Sequence, residues 1–130
     1  MKLKTWFAET RPQFLILSIV LIFLGTCIAW YDHFFNFWHA WLAFVGLLLL
    51  HISVNVLNDY FDYKSGIDLE VKRTPFSGGS GILPARSLAP KAVFRFGIIC
   101  FLLSVPIGVY FVITKGWLLL PLLVIGAVCV

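Results

Sequence analysis

Charge is scarce in this 130-residue chain: Asp, Glu, Lys and Arg make up 12% of it, against about 25% in an average soluble domain. That leaves too little polar surface to cover a water-soluble globule, and a disordered tail is excluded by the apolar excess. Acids are the rarest class, six in all and none after Glu70. The three cysteines, Cys27, Cys100 and Cys129, all lie within apolar runs, with no CxxC pair and no Cys/His cluster. This excludes a zinc site, so they read as small packing residues. The start has no A-x-A cleavage end, and its apolar stretch exceeds a signal peptide's usual length, so it reads as a retained helix. A net charge of +4 does not point to nucleic acid here, because in such a composition the placement of charge matters more than its sum.

Hydrophobic side chains make up 61% of the chain, and the mean hydropathy is +0.97. They come in four runs. A bilayer core about 30 Å thick needs roughly 20 helical residues. Runs at about 12–30, 37–57 and 92–113 meet that length, while the fourth, 117–130, would reach only about 21 Å at the usual helical rise. The expected fold is therefore all-α, a polytopic transmembrane helix bundle with about four spans here, the last incomplete. A connection at 58–91 joins the second span to the third. Lys2, Lys4, Arg11, Lys64, Lys72, Arg73, Arg86, Lys91 and Arg95 all fall on one side of these spans, leaving only Lys115 on the other. Basic residues are retained on the cytoplasmic side, which predicts a cytoplasmic N-terminus and connection in a multi-pass cell-membrane protein surrounded by lipid.

The chemistry concentrates where the second apolar run ends. His51, Asn55, Asn58 or Asp59, and Asp62 repeat at i, i+4, i+7/8 and i+11, a polar stripe along one helical face. Carboxylates three residues apart have Cβ atoms about 5–6 Å from one another, close enough to share a hard cation such as Mg²⁺. Lys72 and Arg73 follow. They could neutralise the acids internally, or serve with Mg²⁺ to grip a diphosphate, the cation on some oxygens and the guanidinium forked onto others. His51 reads first as a hydrogen-bonded packing residue and second, with Asn55 and Tyr60, as a candidate to line a cavity. Tyr60, Phe61 and Tyr63 could also offer aromatic faces to a cation. Gly78-Gly79-Ser80-Gly81 reads first as a plain linker, then as a mobile cover over the site, and last as a backbone nest for phosphate.

Asn58-Asp59-Tyr60-Phe61-Asp62, then Asp68, Val71-Lys72-Arg73-Thr74 and Leu83-Pro84, resemble the UbiA superfamily of intramembrane prenyltransferases, as does Arg11-Pro12 at the first span. The resemblance covers nearly the whole chain. It implies Mg²⁺-dependent transfer of a polyprenyl group from an allylic diphosphate to an aromatic acceptor. Asp59 and Asp62 would be catalytic, Asp59, Asp62 and Asp68 would hold metal, and Asn58, Lys72 and Arg73 would bind the diphosphate. The ubiquinone-type pattern has its last acid where this chain has Gly66. With Asp68 two residues later, the spacing is more similar to the menaquinone branch, whose acceptor is dihydroxynaphthoate. The family implies about nine helices and a second acidic motif. The chain therefore reads as an N-terminal portion, inactive until a C-terminal half or a partner chain supplies the rest. The competing readings are a small non-catalytic membrane protein binding divalent cations or a partner through its acidic loop, and half of a transporter.

Overall fold

The computed structural model describes residues 2–67, 74 and 79–128. Its regular elements among the described residues are helices: α1 (Lys2–Glu9), α2 (Pro12–Tyr31), α3 (Phe37–Ser65), α4 (Pro90–Lys115), a short 3₁₀ turn at Trp117–Leu119, and α5 (Leu120–Val128). Among the described residues α2, α3 and α4 are long and apolar enough to cross a membrane, while the apolar stretch Trp117–Val128 is shorter. This is the all-α, membrane-spanning architecture expected from the apolar runs.

Two differences from the expected boundaries bear on the site. The second helix does not stop at residue 57 but continues to Ser65, so the first part of the 58–91 connection is helical. Side-chain packing explains this. Tyr60 and Tyr63 lie against the buried cluster of Val56, Leu83 and Val93, and Tyr60 also packs on Phe94 with ring centroids 4.9 Å apart. The helix therefore still has a face to bury beyond its apolar run. It ends where Gly66 turns left-handed at φ 85° and donates its N–H to the Tyr63 carbonyl. The second difference is α1, a helix that the apolar runs did not mark. Its Trp6 meets Phe96 of α4 edge-on at 5.2 Å.

Small residues set the approach of α3 to α4. A Cβ built on Gly97 would lie 2.7 Å from the Leu57 side chain, and one on Gly46 would lie 3.0 Å from Ile107. Where lipid removes the hydrophobic drive between helices, such close contact and interhelical hydrogen bonds replace it. One of these bonds is present: the buried Ser53 hydroxyl donates to the Gly97 carbonyl at 2.8 Å. Cys100 is buried as expected, but Cys27 faces outward on α2 among the exposed Phe23, Leu24 and Ile28. A lipid-facing helix surface accepts a small apolar thiol as readily as a packed one does.

Candidate functional site

The polar stripe on α3 faces α2 and the turn that precedes it, and it is bonded rung by rung. His51 Nδ1 pairs with the Ser18 hydroxyl of α2 at 2.8 Å. One turn on, Asn55 donates its amide to the Thr10 carbonyl at 2.9 Å. One further turn brings Asp59, which has no exposed surface. His51 and Asn55 thus join helices rather than standing open along a path, because an unpaired polar group at membrane depth is costly.

The turn at residues 9–11 shapes the next part. The Thr10 hydroxyl donates to the Phe7 carbonyl, and Arg11 adopts a left-handed backbone at φ 53° before Pro12 opens α2. Pro disfavours the α region at the residue before it, so α1 cannot run straight into α2. The chain turns within these three residues, and Glu9 and Thr10 are buried. Arg11 is itself largely buried, with its guanidinium 4.6 Å above the Phe14 ring.

At the end of the stripe, Glu9, Asp59 and Ser80 come together. The Ser80 N–H donates to Asp59 Oδ1 at 2.5 Å, and the Ser80 hydroxyl lies 2.6 Å from Asp59 Oδ2 and 3.0 Å from Glu9 Oε2. Ser80 Oγ also accepts from the Ile82 N–H. A hydroxyl carries one proton, so it cannot donate to both carboxyls at once. The second link needs a proton on Glu9 itself. Burial and the adjacent Asp59 charge push the Glu9 carboxyl from its ordinary 4.5 up to about 8, which agrees with that count. Glu9 Oε1 is buried and accepts no hydrogen bond among the described residues. The segment after Ser80 is pinned by Leu83, whose side chain fills the core at 1% exposure.

The expected site residues therefore separate. Asp59 is the buried centre, Asp62 one turn on is half-buried, and Asn58 is exposed. Tyr60 is half-buried between Phe61 and Phe94, a packing position. Asp68, Lys72 and Arg73 lie outside the described residues. Glu9 and Ser80 are additions. An acid two residues before the Arg-Pro pair was the available signal for Glu9, and Ser80 was hidden in what read as a linker. Among the described residues no three His, Cys, Asp or Glu side chains converge on a metal position. Two adjacent carboxyls with one oxygen free of donors still fit a hard cation, because Mg²⁺ is commonly held by one or two carboxylates plus substrate phosphates and water. A groove of about 480 Å³ lined by Leu21, Thr26, Phe34, His39, Phe111 and Lys115 lies near the other end of α3, away from these acids.

The chain is similar to three bacterial and insect proteins of known name. It is 25% identical over 117 residues to the 1,4-dihydroxy-2-naphthoate octaprenyltransferase of Bacillus subtilis, covering 90% of this chain and 36% of that protein. It is 30% identical over 98 residues to the protein of the same name from Escherichia coli, covering 75% and 32%. It is 35% identical over 71 residues to a Drosophila melanogaster UbiA prenyltransferase domain-containing protein 1 homolog, covering 52% and 20%. The chain thus spans about a third of the length of the first two of these relatives. No solved structure matches it at a significant level. Residues 10–130 match the UbiA prenyltransferase family, and with a match over nearly the whole chain the protein belongs to that family.

Proposed function

We propose that this chain forms the Mg²⁺- and diphosphate-binding part of an intramembrane prenyltransferase that moves a polyprenyl group from an allylic diphosphate to dihydroxynaphthoate or a similar aromatic acceptor. The buried Asp59 at the end of a membrane-length helix, next to a second carboxyl, carries this reading. The names of the bacterial relatives supply the acceptor. The placement of Lys and Arg supports a cytoplasmic N-terminus and a cytoplasmic residue 58–91 connection. The remaining helices would come from the further length that those relatives carry, in the same chain or a partner.

The residues divide the work by chemistry. Asp59 and Asp62 would hold the cation, with Asp68 as a third acid, and Asn58, Lys72 and Arg73 would grip the diphosphate. Bound Mg²⁺ would draw charge from the leaving group and loosen the allylic C–O bond. The Ser80 bonds hold the Asp59 carboxylate in one orientation, so little reorganisation is needed when ligand arrives. The helix-to-helix bonds of His51 and Asn55 fix α3 against α2 and keep that orientation.

The test is prenyl transfer in membranes containing the protein together with the further segment its relatives carry, with a labelled polyprenyl diphosphate and dihydroxynaphthoate. Mg²⁺-dependent product is expected, and Asp59→Ala or Asp62→Ala should abolish it. Near-normal rates in both variants would remove these acids from the mechanism.

A further inference from the structure

We propose that Glu9 is a carboxylate ligand which α1 contributes, through Oε1, to the divalent-cation position beside Asp59. The inference rests on reading these acids as a cation site and adds a residue from outside the acidic motif on α3. Glu9 ends α1, and the left-handed turn at Arg11 holds it against the buried end of α3. It has no exposed surface, and Ser80 joins it to Asp59. Its second oxygen is buried and meets no donor among the described residues.

That free oxygen is what an internal, purely structural acid would avoid. A glutamine of the same length could donate an N–H to Asp59 and leave no carboxyl beside a carboxylate. An acid at this position is useful where a positive charge comes to lie between the two groups, because opposite charge is what reverses their repulsion. Arg11 does not fill that role by contact: its guanidinium covers Phe14, and Oε1 accepts no hydrogen bond from it. A Mg²⁺ ion needs only one or two carboxylates when phosphate oxygens and water complete its six positions. Glu9 and Asp59 provide two from separate helices, already bridged by one hydroxyl.

The experiment uses the protein in detergent with Mn²⁺ and inorganic pyrophosphate as probes, read by electron paramagnetic resonance. Glu9→Gln, which keeps shape and removes charge, should weaken Mn²⁺ binding about tenfold or more without lowering the thermal midpoint. Protein labelled with ¹³C at glutamate carboxyls should show a ¹³C coupling to Mn²⁺ that is lost in Glu9→Gln. If Glu9→Gln does not fold, the labelled unaltered protein decides the matter, because absence of the coupling overturns the proposal. Unchanged Mn²⁺ affinity in Glu9→Gln also overturns it. Coupling to labelled aspartate without coupling to glutamate leaves the cation site standing and removes Glu9 from it. No bound Mn²⁺ in the unaltered protein overturns the cation reading and this inference together.

Discussion

In metal-free protein, Glu9→Gln is expected to be stabilising above pH 8 and to lose that advantage as the pH falls toward 4.5. The folded chain holds a proton on Glu9 up to about pH 8, whereas an unfolded glutamate releases it near 4.5. Between these values the folded state binds more protons than the unfolded state, so stability falls as pH rises. The slope reaches about 1.4 kcal/mol per pH unit for one proton, and the loss levels off above pH 8. Glutamine carries no such proton. The difference between the two proteins should therefore be small near pH 4.5, grow through neutrality and become flat above pH 8. Unfolding in mixed detergent micelles with a chelator, followed by circular dichroism from pH 4.5 to 9, measures it. Added Mg²⁺ should restore much of the unaltered protein's stability at pH 8.5 and do little for the variant. Parallel pH profiles for the two proteins would refute the burial argument outright, since a solvated glutamate gives no slope in this range.

Ser80→Ala removes the hydroxyl between the two carboxyls and leaves Asp59 Oδ2 without that donor. A loss of about 1–3 kcal/mol in the same unfolding assay is expected, as is usual when a buried charged group loses its partner. Gly97→Ala places a Cβ within 2.7 Å of the Leu57 side chain and should cost about 1–3 kcal/mol by forcing α3 and α4 apart. An unchanged midpoint there would mean that Leu57 can rotate away freely. Ser53→Ala, one rung below, should cost about 0.6 kcal/mol, the average for a membrane helix hydrogen bond.

The spans were legible because the bilayer acts as a ruler: apolar runs at 12–30, 37–57 and 92–113 became α2, α3 and α4 with ends moved by a few residues, and by eight at the far end of α3. That excess was not readable from hydropathy, which measures lipid and not protein contact. Tyr60 and Tyr63 stay half-buried by packing on Leu83, Val93 and Phe94, partners 20 to 34 residues away in sequence. α1 escaped for a related reason. It is too short and polar to signal a span, and it is held by contacts such as Trp6 on Phe96.

Helical periodicity placed His51, Asn55 and Asp59 on one face, and three successive rungs confirm the spacing: Ser18, Thr10 and then Glu9 with Ser80. What periodicity could not supply is the identity of the opposite side. A stripe of polar groups on a membrane helix either lines an open path or bonds to a neighbour, and the choice depends on residues 33 to 50 positions earlier in the chain. The Arg11-Pro12 pair decides it here. Because Pro12 cannot extend α1, the chain must turn at Arg11, and that turn carries Thr10 and Glu9 under α3. The same local constraint therefore satisfies Asn55 and brings a second carboxyl to Asp59. Relaxing the turn should loosen both, so the acidic pair and the α2–α3 contact are one cooperative unit and not two features that share a helix.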